Sequence, residues 1–237
     1  MKEFLFLAVV LVSNVFQAIT GFAGTVLAMP VAIRLIGADQ AKFVLNIVAW
    51  ISGIMIAASG YRDIQWKELG KAFAFMAIGM VAGIQIYEMC SLRYLLPLYG
   101  AVIILISLHK FFRGERKKRK LPKTADYVLL FLAGIMHGMF VSGGPLAVIA
   151  MSDDVQNQKQ FRVTISSLWV VLDLIIFASQ MHQHQLTGDT FRLTLASVIP
   201  LGLAVWIGIR IAGKISKKRF MNLTCILLMI SGLTMII

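Results

Sequence analysis

Apolar runs about as long as a bilayer is thick constrain this chain more than any other feature. They lie at about 43–60, 69–89, 94–112, 162–180, 190–212 and 219–236. Each approaches the ~20 residues that a helix needs to cross a ~30 Å hydrocarbon core. Polar residues gather between the runs instead of alternating with apolar ones inside them. Because only helices and closed barrels satisfy every backbone group in lipid, the pattern predicts an all-α polytopic membrane protein. A chain that is 59% hydrophobic and 14% charged fits that class.

Two further apolar regions, 4–37 and 126–151, are too long for one crossing and are interrupted near their middles, by "QAITGFAGT" and by "HGMFVSGGP". Glycine costs a helix interior about 1 kcal/mol and proline about 3. The pieces that follow the interruptions, Thr25 to Ile36 and Pro145 to Ala150, are too short to span. Both regions are therefore expected to be broken or re-entrant helical hairpins that turn back near mid-membrane. The N-terminal stretch resembles a signal peptide in its apolar core, but it lacks a small-x-small cleavage site and runs on into apolar sequence, so it is read as mature structure.

The halves repeat. Sliding the first by 120 positions sets Gly24 on Gly144, Ala58 on Ala178 and Ser59 on Ser179; after a five-residue insertion, Gly83 falls on Gly208. The shared order of broken hairpin and then three spans gives a first repeat over 1–112, a basic cytoplasmic linker over 113–124 and a second repeat over 125–237. The crossing number in each half is odd, so the two repeats are expected to be inverted. Within the first, Gly79 and Gly83 form a GxxxG pair suited to close helix contact.

The net charge of +12 could suggest nucleic acid. Its cations concentrate in short connections, however, chiefly "RGERKKRK" at 113–120, which is a topology signal. Placing that loop in the cytoplasm also puts Arg62, Lys67, Lys71, Lys159, Arg162 and the run at 214–219 there. Lys2, Arg34, Lys42 and Arg93 stay outside among Glu3, Asp39, Glu88 and Asp189, and both termini lie outside. Cys90 and Cys225 lack metal or redox spacing, so neither a metal nor a cofactor is expected.

The interruptions carry the chemistry. A half-helix that starts inside the membrane presents unpaired N–H groups and about half a positive charge, which suits an anion. The first break adds Gln17, Thr20 and Thr25 as donors, with Gly21 and Gly24 permitting close approach; the second offers His137, Ser142, Gly143 and Gly144. The bland alternative is that these glycines only allow tight packing. On the span 162–180, Ser166, Trp169 and Asp173 share a face, and their counterparts are Asn46, Ala49 and Gly53. A carboxylate in a span faces a cavity, pairs, or carries a proton, so Asp173 is either a coupling residue or a hydrogen-bonded packing residue. His137 is open in the same way between anion binding and a bond to a neighbouring helix.

The doubled pattern, with "GFAGTVLAMP" early in one half and "VSGGPLAVIA" early in the other, resembles the sulfite exporter TauE/SafE family of membrane proteins. The resemblance implies transport of sulfite or organosulfonates across a bacterial cytoplasmic membrane, by a chain that is not an enzyme and has no catalytic residues. Its glycine motif departs from the family's usual triplet, which bears on the substrate more than on the fold. The expected partners are a small anionic substrate and the lipid bilayer, without nucleic acid; homodimerisation is left open. Other functions bear on the same residues. A passive anion channel shares these features. An intramembrane hydrolase would use Ser142 with His137, but five residues across a helix end is poor dyad geometry, and no G-x-S-x-G elbow is present.

Overall fold

The computed structural model describes residues 1–113, 122–151, 154–155 and 157–212, with single positions between 226 and 236. The described residues form helices α1 (Lys2–Thr20), α2 (Ala23–Ile36), α3 (Ala38–Ala58), α4 (Trp66–Met89), α5 (Leu92–Arg113), α6 (Lys123–Phe140), α7 (Gly144–Met151), α8 (Gln158–His182) and α9 (Gly188–Ile211). No strand occurs among them. Five helices, α1, α3, α4, α8 and α9, are long and apolar enough to cross a membrane. The expected runs from 43–60 to 190–212 thus become α3, α4, α5, α8 and α9. Most of the sixth run at 219–236, most of the 113–124 linker and the basic run at 214–219 lie outside the described residues.

Two helices begin earlier than hydropathy alone suggests. Hydropathy stops at the charged residues near each span's start, whereas the backbone stops where its N–H groups find a cap. Asn157 accepts from the N–H groups of Lys159 and Gln160 at 2.9 and 3.4 Å, so α8 starts at Gln158, four residues before the apolar run. Likewise α3 starts at Ala38, just after Gly37 takes φ 86°, and so includes Lys42.

The tightest packing joins α4 to α6. A Cβ built on Gly83 would stand 2.2 Å from the Ile135 carbonyl oxygen, and one on Gly134 would stand 2.2 Å from that of Met76. Gly79 and Gly138 are equally close to the opposite backbone. The GxxxG pair read in α4 therefore meets a second pair, Gly134 and Gly138, in α6. With lipid on the outside there is little hydrophobic drive between helices, so close van der Waals contact carries the association.

The remaining contacts repeat that theme. Helix α1 packs on α9, α3 on α8, α3 on α9 and α4 on α8, while α1–α2 and α6–α7 form hairpins. Exchanging α1, α2, α3 and α4 for α6, α7, α8 and α9 turns the α1–α9 contact into the α6–α4 contact and maps α3–α8 onto itself. Gly208 fits its place in this scheme, since its Cβ would meet the Ala18 Cβ at 2.5 Å.

Charged residues segregate to two ends. At one, Lys159 pairs with Asp63 at 2.7 Å, Lys71 pairs with Glu68 and Asp154, and the Gln65 N–H bonds Thr164 Oγ1 at 3.0 Å. The hydrogen bond from Lys71 holds the Asp154 carboxyl below its ordinary range. At the other end, the Tyr87 hydroxyl donates to Asp39 at 2.9 Å, Gln183 donates to Glu88, and Arg192 pairs with Glu3. These groupings match the two membrane faces assigned from the charge pattern.

Candidate functional site

Both hairpins break by the same backbone device. Helix α1 ends where Gly21 takes φ 85° and its N–H bonds the Gln17 carbonyl at 2.6 Å. Helix α6 ends where Val141 takes φ 53° and its N–H bonds the His137 carbonyl at 2.7 Å. Each member of the second pair lies 120 positions after its counterpart, the offset read from sequence. A left-handed conformation is cheap for glycine but costs a β-branched residue on the order of 1–3 kcal/mol. Val141 is held there by burial on all sides, with 1% of its surface exposed.

The polar dressing of the two breaks differs. In the first, Thr20 Oγ1 accepts from the N–H groups of Phe22 and Ala23 at 3.2 and 3.1 Å, and Gln17 Oε1 accepts from Gly24 at 2.8 Å. The N-terminus of α2 is therefore capped by its own hairpin. In the second, Phe140 occupies the place of Thr20 and has no acceptor to offer; it stacks on Tyr99 instead, with ring centroids 4.4 Å apart. The Ser142 hydroxyl donates backward to the Phe140 carbonyl at 2.8 Å and does not cap α7.

His137, in the place of Gln17, also turns away from its own hairpin. Its Nε2 lies 2.9 Å from Asp173 Oδ1, and its ring stacks on Trp169 at 4.9 Å between centroids. Both side chains are buried. The pair is a close approach without hydrogen-bond alignment: both ring nitrogens and both carboxylate oxygens lack an aligned partner. Trp169 Nε1 donates to the Gly21 carbonyl at 2.7 Å, which ties the stacked pair in the second repeat to the break in the first.

The breaks touch where a Cβ on Gly144 would stand 2.9 Å from the Phe22 carbonyl oxygen. Beside that contact is a cavity lined by Gln17, Phe22, Thr25, Ala49, His137, Val141, Gly144, Trp169 and Asp173. Its free volume is about 10 Å³, room for about one water molecule, so the lining closes tightly around its polar groups in this conformation. Of the residues singled out in sequence, Gln17, Thr25, His137, Gly144 and Asp173 line it. Thr20, Gly21, Gly24, Ser142 and Gly143 shape the breaks behind it. Asn46 sits deeper in the α3–α8 seam, donating to the Asp173 carbonyl and to Gln180 Oε1 at 3.1 and 3.2 Å. Ser166 is buried nearby without a partner for its hydroxyl.

Two details differ from the sequence reading. The space a side chain would need at Gly24 and Gly143 is filled by protein, since a Cβ would meet Gln17 Cβ at 2.8 Å and the Ala133 carbonyl oxygen at 2.3 Å. And Asp173, which has no cation on its own helix face, is met by a group from α6, a long-range contact invisible to helical periodicity. Sequence reasoning also passed over Val141 and Phe22, whose only signal was their position in the breaks. Gln180 carried no signal at all.

A bundle of membrane-crossing helices, broken twice around one small buried polar cavity, defines a multi-pass membrane protein of the transporter type. The family profile described as sulfite exporter TauE/SafE matches residues 5–235, and the chain belongs to that family. It is similar to the "Probable inner membrane transporter protein TsaS" of Comamonas testosteroni, with 24% identity over 176 residues, 74% of each chain. No solved structure matches it.

Proposed function

We propose that this protein carries a small sulfur-containing oxyanion, sulfite or an organosulfonate, across the bacterial cytoplasmic membrane by alternating access, with the two repeats inverted around the central cavity. The observation that carries this reading is the buried His137–Asp173 pair, which lines the cavity together with Gly144 at the start of α7. A helix N-terminus and a protonated imidazole both favour an anion. The family's name supports the substrate class. The exchange symmetry of the helix contacts supports two halves that rock against each other.

Charge counting gives the mechanism its coupling. An empty site that holds one proton between His137 and Asp173 is neutral. An added monoanion alone would leave one uncompensated negative charge in a low-dielectric interior, which is strongly unfavourable. An anion accompanied by one proton, with the imidazole charged and the carboxyl neutral, restores neutrality. Asp173 is thus the coupling residue and His137 the anion-binding cation, and the carrier moves anion and proton together.

The test is flux of sulfite and of methanesulfonate into proteoliposomes holding the purified full-length protein, with and without an imposed pH gradient. Wild-type flux is expected to respond to the gradient. Asp173→Asn retains methanesulfonate binding and loses that response. An Asp173→Asn protein with an unchanged gradient response overturns the coupling role, and a wild-type protein that moves neither anion overturns the substrate class.

A further inference from the structure

Trp169 touches both breaks, and the first repeat has no ring in its place: the residue 120 positions earlier is Ala49, on the same cavity lining. Trp169 is 4% exposed. On its polar edge, Nε1 donates to the Gly21 carbonyl at 2.7 Å. Gln17 Nε2 donates to the same oxygen at 3.4 Å, and a carbonyl with two lone pairs accepts both. That acceptor belongs to backbone already wedged against α8, where a Cβ on Gly21 would stand 2.7 Å from Ile165 Cγ2. The hydrogen bond therefore ties the indole to a part of the chain with little room to move.

On its apolar face the indole stacks on His137, with centroids 4.9 Å apart and planes 29° from parallel. Nε2 of that imidazole lies 2.9 Å from Asp173 Oδ1, yet neither ring nitrogen has an aligned hydrogen bond among the described residues. The stack, more than any hydrogen bond, sets the plane of the imidazole. An indole face attracts a cation within about 6 Å of its centroid, so the same contact supports the imidazole when it is charged. Trp169 and Asp173 stand one turn apart on α8, which brings ring and carboxylate to His137 from a single helix face.

We propose that Trp169 is a positioning residue for anion binding: anchored by its N–H to the first break, it holds the His137 ring of the second break in place beside Asp173 at the cavity wall. The anion-binding cation of one repeat is thereby set by the backbone of the other.

This role rests on the transport reading, and a mutant cycle separates the two. Methanesulfonate uptake into proteoliposomes gives KM for the full-length chain and its variants. Trp169→Leu, which loses both the ring face and the N–H, is expected to raise KM about tenfold. Trp169→Phe, which keeps a ring face without the anchor, raises it about threefold. In a His137→Gln background the imidazole is already gone, so Trp169→Leu adds less than about twofold, a non-additivity that independent packing roles do not produce. Where Trp169→Leu does not fold, Trp169→Phe carries the same cycle. Tryptophan emission gives a second readout on the unsubstituted protein. A charged imidazole quenches a stacked indole, so methanesulfonate dims wild-type emission and leaves that of Trp169→Phe and His137→Gln unchanged. Additive KM effects, an unaltered KM in Trp169→Leu, or a wild-type protein that transports methanesulfonate with unchanged emission overturns the positioning role and leaves the transport reading in place. Wild-type proteoliposomes that move no methanesulfonate overturn the transport reading itself.

Discussion

The two hairpin breaks share a backbone and differ in what their side chains do. In the first, glycine supplies the left-handed residue, and Gln17 and Thr20 turn back to cap the next half-helix. In the second, valine is forced into that conformation, phenylalanine replaces the capping threonine, and the residue in the place of Gln17 is a histidine that reaches across to Asp173. Both breaks border the cavity, but the first also caps itself while the second reaches across to Asp173. Two breaks 120 positions apart thus differ in kind: the first stabilises its turn with glycine and side-chain caps, and the second holds a valine at positive φ beside a buried His–Asp pair. Strain and unsatisfied polar groups concentrate where function needs them.

This division can be broken by substitution. Gly21→Val is expected to have the largest effect. It puts a β-branched residue at positive φ, and its Cβ would stand 2.7 Å from Ile165 Cγ2 and 2.9 Å from the Arg162 carbonyl oxygen. A loss of about 3 kcal/mol or more should appear as absence of monodisperse protein in detergent, whereas a well-folded variant would mean that the first break is not rigid.

Gln17→Ala comes next. It leaves the Gly24 N–H unpaired in the interior and is expected to cost about 1–3 kcal/mol in detergent thermal or denaturant unfolding. His137→Gln, which writes the first break's residue into the second, should leave stability nearly unchanged and slow proton-coupled flux at least tenfold, about 1.4 kcal/mol in the barrier. If Gln17→Ala damages transport more than stability, or His137→Gln does the reverse, the assignment of roles is inverted.

Val141→Gly has the smallest expected effect. Relief of the left-handed strain, on the order of 1–3 kcal/mol, offsets the loss of a buried valine side chain, about 1.5–3 kcal/mol. Unfolding should therefore shift by less than about 1 kcal/mol. A loss as large as that from Gly21→Val would show that Val141 is not strained.

Much of this was legible in the sequence because lipid leaves few choices. Long apolar runs have to be helices, so α3, α4, α5, α8 and α9 could be placed from hydropathy. Gly21 and the Val141–Gly144 stretch betrayed the breaks because breaks interrupt such runs. The 120-residue offset, read from a handful of weak matches, aligns Gln17 with His137 and Lys42 with Arg162. What stayed hidden was what each side chain turns toward. That Gln17 both caps its own hairpin and borders the cavity is settled by rotamers and neighbours, not by period. The His137–Asp173 approach joins residues far apart in sequence through packing of α6 near α8. The second glycine pair of the α4–α6 contact, Gly134 and Gly138, becomes meaningful only once its partner helix is known.

The central claim is that one proton accompanies each anion through the cavity between the breaks. The most direct test is to impose a methanesulfonate gradient on proteoliposomes and to record internal pH and anion content together, because a sulfonate does not titrate near neutrality. The account predicts one proton moved per anion, a rate indifferent to an imposed membrane potential, and loss of both proton and anion coupling in Asp173→Asn. Anion flux without proton movement, driven by the potential alone, would contradict it.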